Sequence, residues 1–449
     1  MALDWPALSA SSGGSLGQPN TSLSVGATAN GAFIPTVWAT YRDVSTVMLD
    51  KAANPGDWNT PQSIPSACNT STPAPVAPGF QPMIIDGSTF KGAALTLDNV
   101  NQATGNPLVD QEGWYTIADI RVDQSEYDYI QQNKYYSGLA QTKAVKNNSF
   151  APIPRTGQPS DFKPPINLPG YAQFGALEVK TTWRILDPGK DQKIIPRYYT
   201  QWGYFIQPDG SCSGPSLFGL IALHILRLTP TTPATWFWAT FEQVDNTSAP
   251  PVQNAGATLT PANPTPPCPT LGYNEPAPAS HTGNVPWNNQ NSPNNICQVT
   301  PIPSAVQQVN SAWQAALNQT VWQYYQMDDT INPCPSGASG CVPFHLSGST
   351  TVNTGVMANT AIESYGQATS SGVNSCLDCH AYAAPYPYIS GPPSSSLQIF
   401  TFVLQNAFLS DTQKSISRQR FVNLLKSSPH RRPATSGNSG SENKYKQKQ

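Results

Sequence analysis

The sequence predicts an α+β protein in which an antiparallel β scaffold with helical segments is followed by a C-terminal helical region. Three observations predict it. Between Phe174 and Val244 four segments rich in β-branched and aromatic residues are each bounded by Pro, Gly or Asp. From Ser304 onward the apolar residues fall at helical spacing. The chain is 38% hydrophobic with 11 Trp, 18 Tyr and 15 Phe, too apolar for a disordered polymer, because aromatic side chains bury large areas and drive collapse.

Taken in order, residues 1–32 are rich in Ser, Gly, Asn and Ala without periodicity and predict a poorly ordered arm. Thr36 to Leu49 places apolar residues at roughly helical spacing and predicts one amphipathic helix, with Pro-rich sequence beyond it to about residue 82. Asp119 to Asn133 starts as an alternating strand and passes into a short helix. Residues 150–170 are a Pro-punctuated loop. Four strands are then expected over 175–186, 197–206, 217–228 and 235–244, antiparallel because their connections are too short for parallel crossovers. Residues 247–303 read as a long Pro- and Asn-rich loop. Helices are expected over 304–327, 354–367 and 397–408. The tail, 427–449, carries His430, Arg431, Arg432, Lys444, Lys446 and Lys448 without apolar partners, so disorder is expected there. The expected organisation is an arm over 1–32, a mainly β domain over 33–303, a helical region over 304–426 and a basic tail.

Composition restricts the partners. A net charge of -2 supplies no field that would gather nucleic acid or an anionic membrane surface. No run of about 18 apolar residues is present, so no transmembrane segment is expected. Charged residues are only 11% of the chain while Pro numbers 45 and Gly 32, which leaves Ser, Thr, Asn and Gln to cover the surface, as in secreted, loop-rich proteins. Eight cysteines divide into the close pair Cys376/Cys379 and six others at 68, 212, 268, 297, 334 and 341. In an oxidising compartment those six would form up to three disulfides. Cys334 and Cys341 are the expected local pair, against free or metal-bound thiols.

The pair itself carries the chemistry. Cys376-Leu-Asp-Cys379-His380 has the spacing for two thioether bonds to haem vinyl groups while the adjacent imidazole reaches the iron. One covalent haem c with His380 as proximal iron ligand is expected. Two other readings of the thiols are zinc, with Cys334, Cys341 or His345 completing the set, and a thioredoxin-like dithiol, which would need a βαβ setting. Haem attachment of this kind takes place outside the bacterial cytoplasm. Met1-Ala-Leu-Asp-Trp5 lacks the basic and apolar regions of a signal peptide, so an export signal removed or lying upstream is expected.

No Met follows His380, and the His beyond it is His430 in the tail, so a second iron ligand must come from upstream or be absent. His224, inside the apolar run Leu220 to Leu226, is the expected distal ligand; its other reading is a hydrogen-bonded core histidine. Met357 is the alternative, followed by His345 or Met327 and by an open position. Trp236 and Trp238 share a strand face and are expected to pack against core or haem.

Several segments together resemble bacterial proteins called cytochrome c family proteins: Gly175 to Trp183, Leu220 to Leu226, the string Trp236-Phe-Trp-Ala-Thr-Phe-Glu-Gln-Val-Asp-Asn246, Ala358 to Glu363, and the C-L-D-C-H run. The resemblance spans about residues 33–410 and implies that sheet and haem segment form one unit. Relatives often carry His where this chain has Gln243, which argues against a ligand there. Glu178, Lys180, Glu242, Asp245 and Glu363 are the ionisable residues of these segments; an ordinary solvated strand face is the expected setting for Glu178 and Lys180. The functional expectation is one-electron transfer in the periplasm or outside the cell, to an unidentified redox partner protein. The alternatives are a haem oxidoreductase with an open distal site and a small-molecule substrate pocket in the β domain, and a haem redox sensor or binding module.

Overall fold

The computed structural model describes residues 41–49, 52–59, 64, 66–68, 74, 82–86, 107–154, 175–206, 211–228, 236–247, 259, 291–331, 357–367, 380, 383–385 and 401–407. Among these, eight strands form one sheet: β1 Arg42–Asp43, β2 Met83–Asp86, β3 Ile117–Val122, β4 Leu177–Leu186, β5 Thr200–Ile206, β6 Cys212–Leu228, β7 Trp236–Gln243 and β8 Tyr325–Ile331. Four helices accompany it: α1 Val44–Val47, α2 Gln124–Gln132, α3 Gly138–Lys146 and α4 Ser304–Ala316. The class is a sheet-rich mixture with few helices.

The long strand β6 organises the sheet. One of its edges carries β4; the other carries β5 along Cys212 to Gly219 and β7 along Ala222 to Leu228. Beyond β4 lie β3 and then β1, and beyond β7 lies β8, all antiparallel. The expected all-antiparallel scaffold needs one correction, since β2 joins β5 in parallel. That approach depends on Gly203. A Cβ there would lie 2.6 Å from the carbonyl oxygen of Met83, inside any real contact distance.

Strands expected at 175–186, 197–206, 217–228 and 235–244 correspond to β4 to β7, and the expected strand-to-helix passage after Asp119 is β3 followed by α2. Asp123 fixes that passage: its carboxylate accepts from the backbone N–H of Glu126 at 3.0 Å and of Leu177 at 3.2 Å, capping α2 and tying it to β4.

Four helical expectations are corrected, two of them over the described part alone. The helix expected over 304–327 ends at Ala316; Gln319 takes φ 69°, a single 3-10 turn follows over Val321–Tyr324, and the chain re-enters the sheet as β8. The sheet therefore continues into the region expected to be helical. Residues 357–367 form turns. There the side-chain oxygen of Asn359 accepts from the N–H groups of Ala361 and Ile362, at 2.9 and 3.2 Å, in competition with helical bonding. Of the helix expected over 36–49, the described part holds β1 and the single turn α1, capped by Asp43. Of 397–408, the described part holds a 3-10 turn, Val403–Asn406.

Two of the expected features involve cysteine. Cys68 and Cys212 are joined by a disulfide, and Cys297 is also disulfide-bonded. Cys334, Cys341 and His345 lie outside the described residues, as do the arm and the tail.

Candidate haem-side face

Because side chains alternate along a strand, the ladder registers define rows of neighbours on each face. On one face a row runs Val122, Glu178, Leu226, Trp238 across β3, β4, β6 and β7. The next row is Ile120, Lys180, His224, Thr240, and one step further Ala222 stands beside Glu242. Trp236 and Trp238 share this face as expected, with ring centroids 6.4 Å apart.

His380 docks at its apolar end. The imidazole lies 5.6 Å from Trp238 with planes at 71°, and 4.9 Å from Phe402 at 55°. Around these rings Leu226, Leu228, Trp236, Met357, Ala383, Val403, Leu404 and Ala407 form a buried cluster that continues onto Tyr127, Tyr129 and Ile130 of α2. The loop bearing Phe402 is held in place by Gln141 of α3, whose amide donates to the Leu404 carbonyl at 2.9 Å and to the Tyr135 carbonyl at 2.5 Å. Cys376 and Cys379 themselves lie outside the described residues.

The polar end of the face is covered by residues 357–367. The Asn359 amide donates to Asp328 at 2.8 Å, to Thr240 at 3.2 Å and to the Phe241 carbonyl at 3.0 Å. The Thr360 hydroxyl donates to Glu242, and Gln326 reaches the same carboxylate at 3.0 Å. Glu363 meets the His224 Nε2 at 3.3 Å and accepts the backbone N–H of Asn359 at 3.0 Å. The far end of the segment is pinned by Gln367, which accepts from Val299 and Thr300 and donates to the Cys297 carbonyl. Thus the segments 175–183, 220–226, 236–246 and 358–363, scattered in sequence, meet on the face that carries His380.

Electrostatics follow from burial. Glu178, expected on a solvated face, shares its face with Lys180 but is buried there, because α2 and the 401–407 loop cover it. Burial raises its carboxyl to about 7, against stabilisation by Thr401 and Glu126. Glu126 is raised further by burial and by Glu178. Burial likewise raises Glu242 and, with the Glu242 charge beside it, raises Asp328 well above the carboxylate range. Glu363 goes the other way: burial pushes it up, but His224 and Lys180 outweigh burial and hold it low.

Of the four expected donors, His224, Met357 and Met327 lie among the described residues and His345 does not. His224 is buried, with its Nε2 3.3 Å from the Glu363 carboxylate. Met357 is buried in the same apolar cluster as Trp238, Ala383 and Val403. Met327 pairs with Phe241 on the opposite face. Gln243, also on the opposite face, sits beside Asp245, which Arg197 grips through two bonds of 2.6 and 2.7 Å. Among the described residues no group of three or more His, Cys, Asp or Glu is arranged to hold a metal ion.

The half-buried imidazole of His380 thus contacts two aromatic rings of an apolar cluster that also holds the Met357 thioether. Phe402, Thr401, Asn359, Thr360, Glu126 and Asp328 were not singled out from sequence. Only Asn359 and Thr360 carried a signal, as members of the string Ala358 to Glu363. Comparison with family models, with curated proteins and with solved structures finds no match to this chain.

Proposed function

We propose that this chain is a monohaem c-type cytochrome, with haem c bonded through Cys376 and Cys379, His380 as proximal iron ligand, and one-electron transfer to a redox protein as its activity. The observation that carries the reading is the seating of His380 between Trp238 and Phe402, inside the apolar cluster where the separate resembling segments converge. When bound, the haem supplies a reversible Fe(III)/Fe(II) change. The chain's own residues do the rest. Trp238, anchored in the sheet, orients the His380 ring; Phe402, Val403 and Leu404 exclude water; Met357 supplies a thioether from the same cluster. We take Met357 over His224 as second ligand, because His224 is already engaged by Glu363.

The Cys68–Cys212 disulfide supports action in an oxidising compartment, the periplasm or outside the cell, where thioether attachment is also made. No helix among the described residues is long and apolar enough to cross a membrane. The alternative reading, an oxidoreductase acting on a small molecule at an open distal site, draws support from the His224–Glu363 pair, which offers proton-handling groups on the same face.

The test is the absorption spectrum of reduced protein, purified from a host that matures c-type cytochromes, with and without carbon monoxide. Electron transfer through a six-coordinate iron predicts sharp reduced bands that carbon monoxide leaves unchanged. Rapid binding favours the oxidoreductase, and colourless protein rejects both.

A further inference from the structure

Glu126 of α2 and Glu178 of β4 meet under the loop that packs on His380. Both are buried, at 0% and 5% exposure, and their carboxyl groups are in hydrogen-bond contact. Both Glu126 oxygens and Oε1 of Glu178 lack an N–H or O–H donor. Two carboxylates are acceptors only, so they form a hydrogen bond with each other when one of them carries a proton. The pair is therefore a proton store by construction.

Two independent features bring it close to His380. Thr401, whose hydroxyl serves Glu178, is followed directly by Phe402, whose ring packs on the imidazole. Across the sheet, Glu178 and Trp238 occupy the same row with Leu226 between them, two strand spacings or about 10 Å apart. That is about one Debye length in 0.1 M salt, but the intervening space is protein and screens less than solvent does.

Among the described residues, the other titratable groups around the pair are Asp123, Tyr129 and Lys180. Asp123, at the start of α2, adds negative charge and raises both carboxyls; Tyr129 is neutral, burial having raised its phenol. Lys180 stands two residues along β4 in the next row, opposite His224, which faces Glu363.

We propose that the Glu126–Glu178 pair is a proton-binding site coupled to the electron carried beside it. Each electron arriving from a one-electron donor protein is matched by one proton taken from solvent onto the pair, and each electron leaving returns that proton, so charge balances in both directions. The inference rests on the haem reading above. Its sign is fixed by Coulomb attraction. The oxidised, more positive centre favours the singly protonated, anionic pair, and the reduced centre favours the doubly protonated, neutral pair.

The experiment is a spectroelectrochemical titration of the holoprotein from about pH 5 to 9, for wild type, Glu178→Gln and Thr401→Val. The wild-type midpoint potential falls as pH rises through about 7, where Glu178 exchanges its proton. In Glu178→Gln that fall is lost, and in Thr401→Val, which removes a donor to the carboxylate, it moves to higher pH. Reduced-minus-oxidised infrared spectra near neutral pH gain a protonated-carboxyl C=O band in the wild type that Glu178→Gln lacks. A wild-type potential indifferent to pH, or a Glu178→Gln profile like the wild type's, overturns the coupling while leaving the haem reading intact. A colourless preparation overturns the haem reading and the coupling with it.

Discussion

The imidazole of His380 meets the indole of Trp238 edge to face, with centroids 5.6 Å apart. Trp238 sits opposite Leu226 on one side and Ile331 on the other, so a strand paired on both edges carries the ring that meets the imidazole. An edge-to-face pair adds about 0.5–1.5 kcal/mol beyond the area it buries.

Replacing that indole tests how far the sheet holds the C-terminal segment. Trp238→Ala leaves a cavity in the cluster and is expected to cost about 3–5 kcal/mol. Urea unfolding followed by far-UV circular dichroism measures the loss. Trp238→Phe, which keeps an aromatic ring, is expected to retain more than half of it, and equal losses in both variants would show that the ring contact is irrelevant.

The choice of Met357 over His224 is tested by exchanging each. Reduced Met357→Ala holoprotein is expected to bind carbon monoxide and to show a lowered potential, because a thioether ligand raises it. His224→Gln is expected to leave the spectrum unchanged and to lower stability instead. The reverse pattern would make His224 the ligand.

At the polar end of the face, Glu363→Gln removes the carboxylate that offsets His224 and Lys180. Glu363 is 18% exposed, so the cost is expected to be about 2–3 kcal/mol, below that of breaking a fully buried pair. The folded carboxyl lies below its ordinary value of 4.5, so this stability is present above about pH 4.5 and lost as pH falls through the lower folded value. Denaturant midpoints of wild type and variant should accordingly differ at pH 7 and converge in acid.

Glu178 has the opposite sign. A folded value of about 7 against 4.5 means that the folded chain holds a proton the unfolded chain has released, and stability drains away as pH rises between those values. At 1.36 kcal/mol per unit the shift amounts to about 3 kcal/mol. Glu178→Gln, which is never charged, is expected to gain on wild type as pH rises from about 4 to 8. A difference constant with pH would contradict the assignment.

The central strands were legible in the sequence because β-branched and aromatic runs between Pro and Gly have few alternatives. Their spatial order was not: β6 serves three partners, and nothing local in Cys212 to Leu228 says so. Residues 317–331 misled because Leu317 and Val321 continue a helical spacing that the backbone at Gln319 interrupts. In the site, Trp236 and Trp238 were legible as an aromatic pair on one strand face. Glu178 was misread because alternation assigns two strand residues to one face without saying what covers that face. The cover here is α2, through Glu126, and the short loop at Thr401, elements distant in sequence whose docking depends on three-dimensional packing.

The most direct measurement is a pyridine haemochrome spectrum of protein matured in a competent host and then denatured in acid acetone. Covalent attachment through Cys376 and Cys379 predicts that the colour stays with the polypeptide, at one haem per chain, with the band position of a porphyrin whose two vinyl groups are saturated. Colour that passes into the acetone, or a chain holding zinc or a Cys376–Cys379 disulfide, would contradict it.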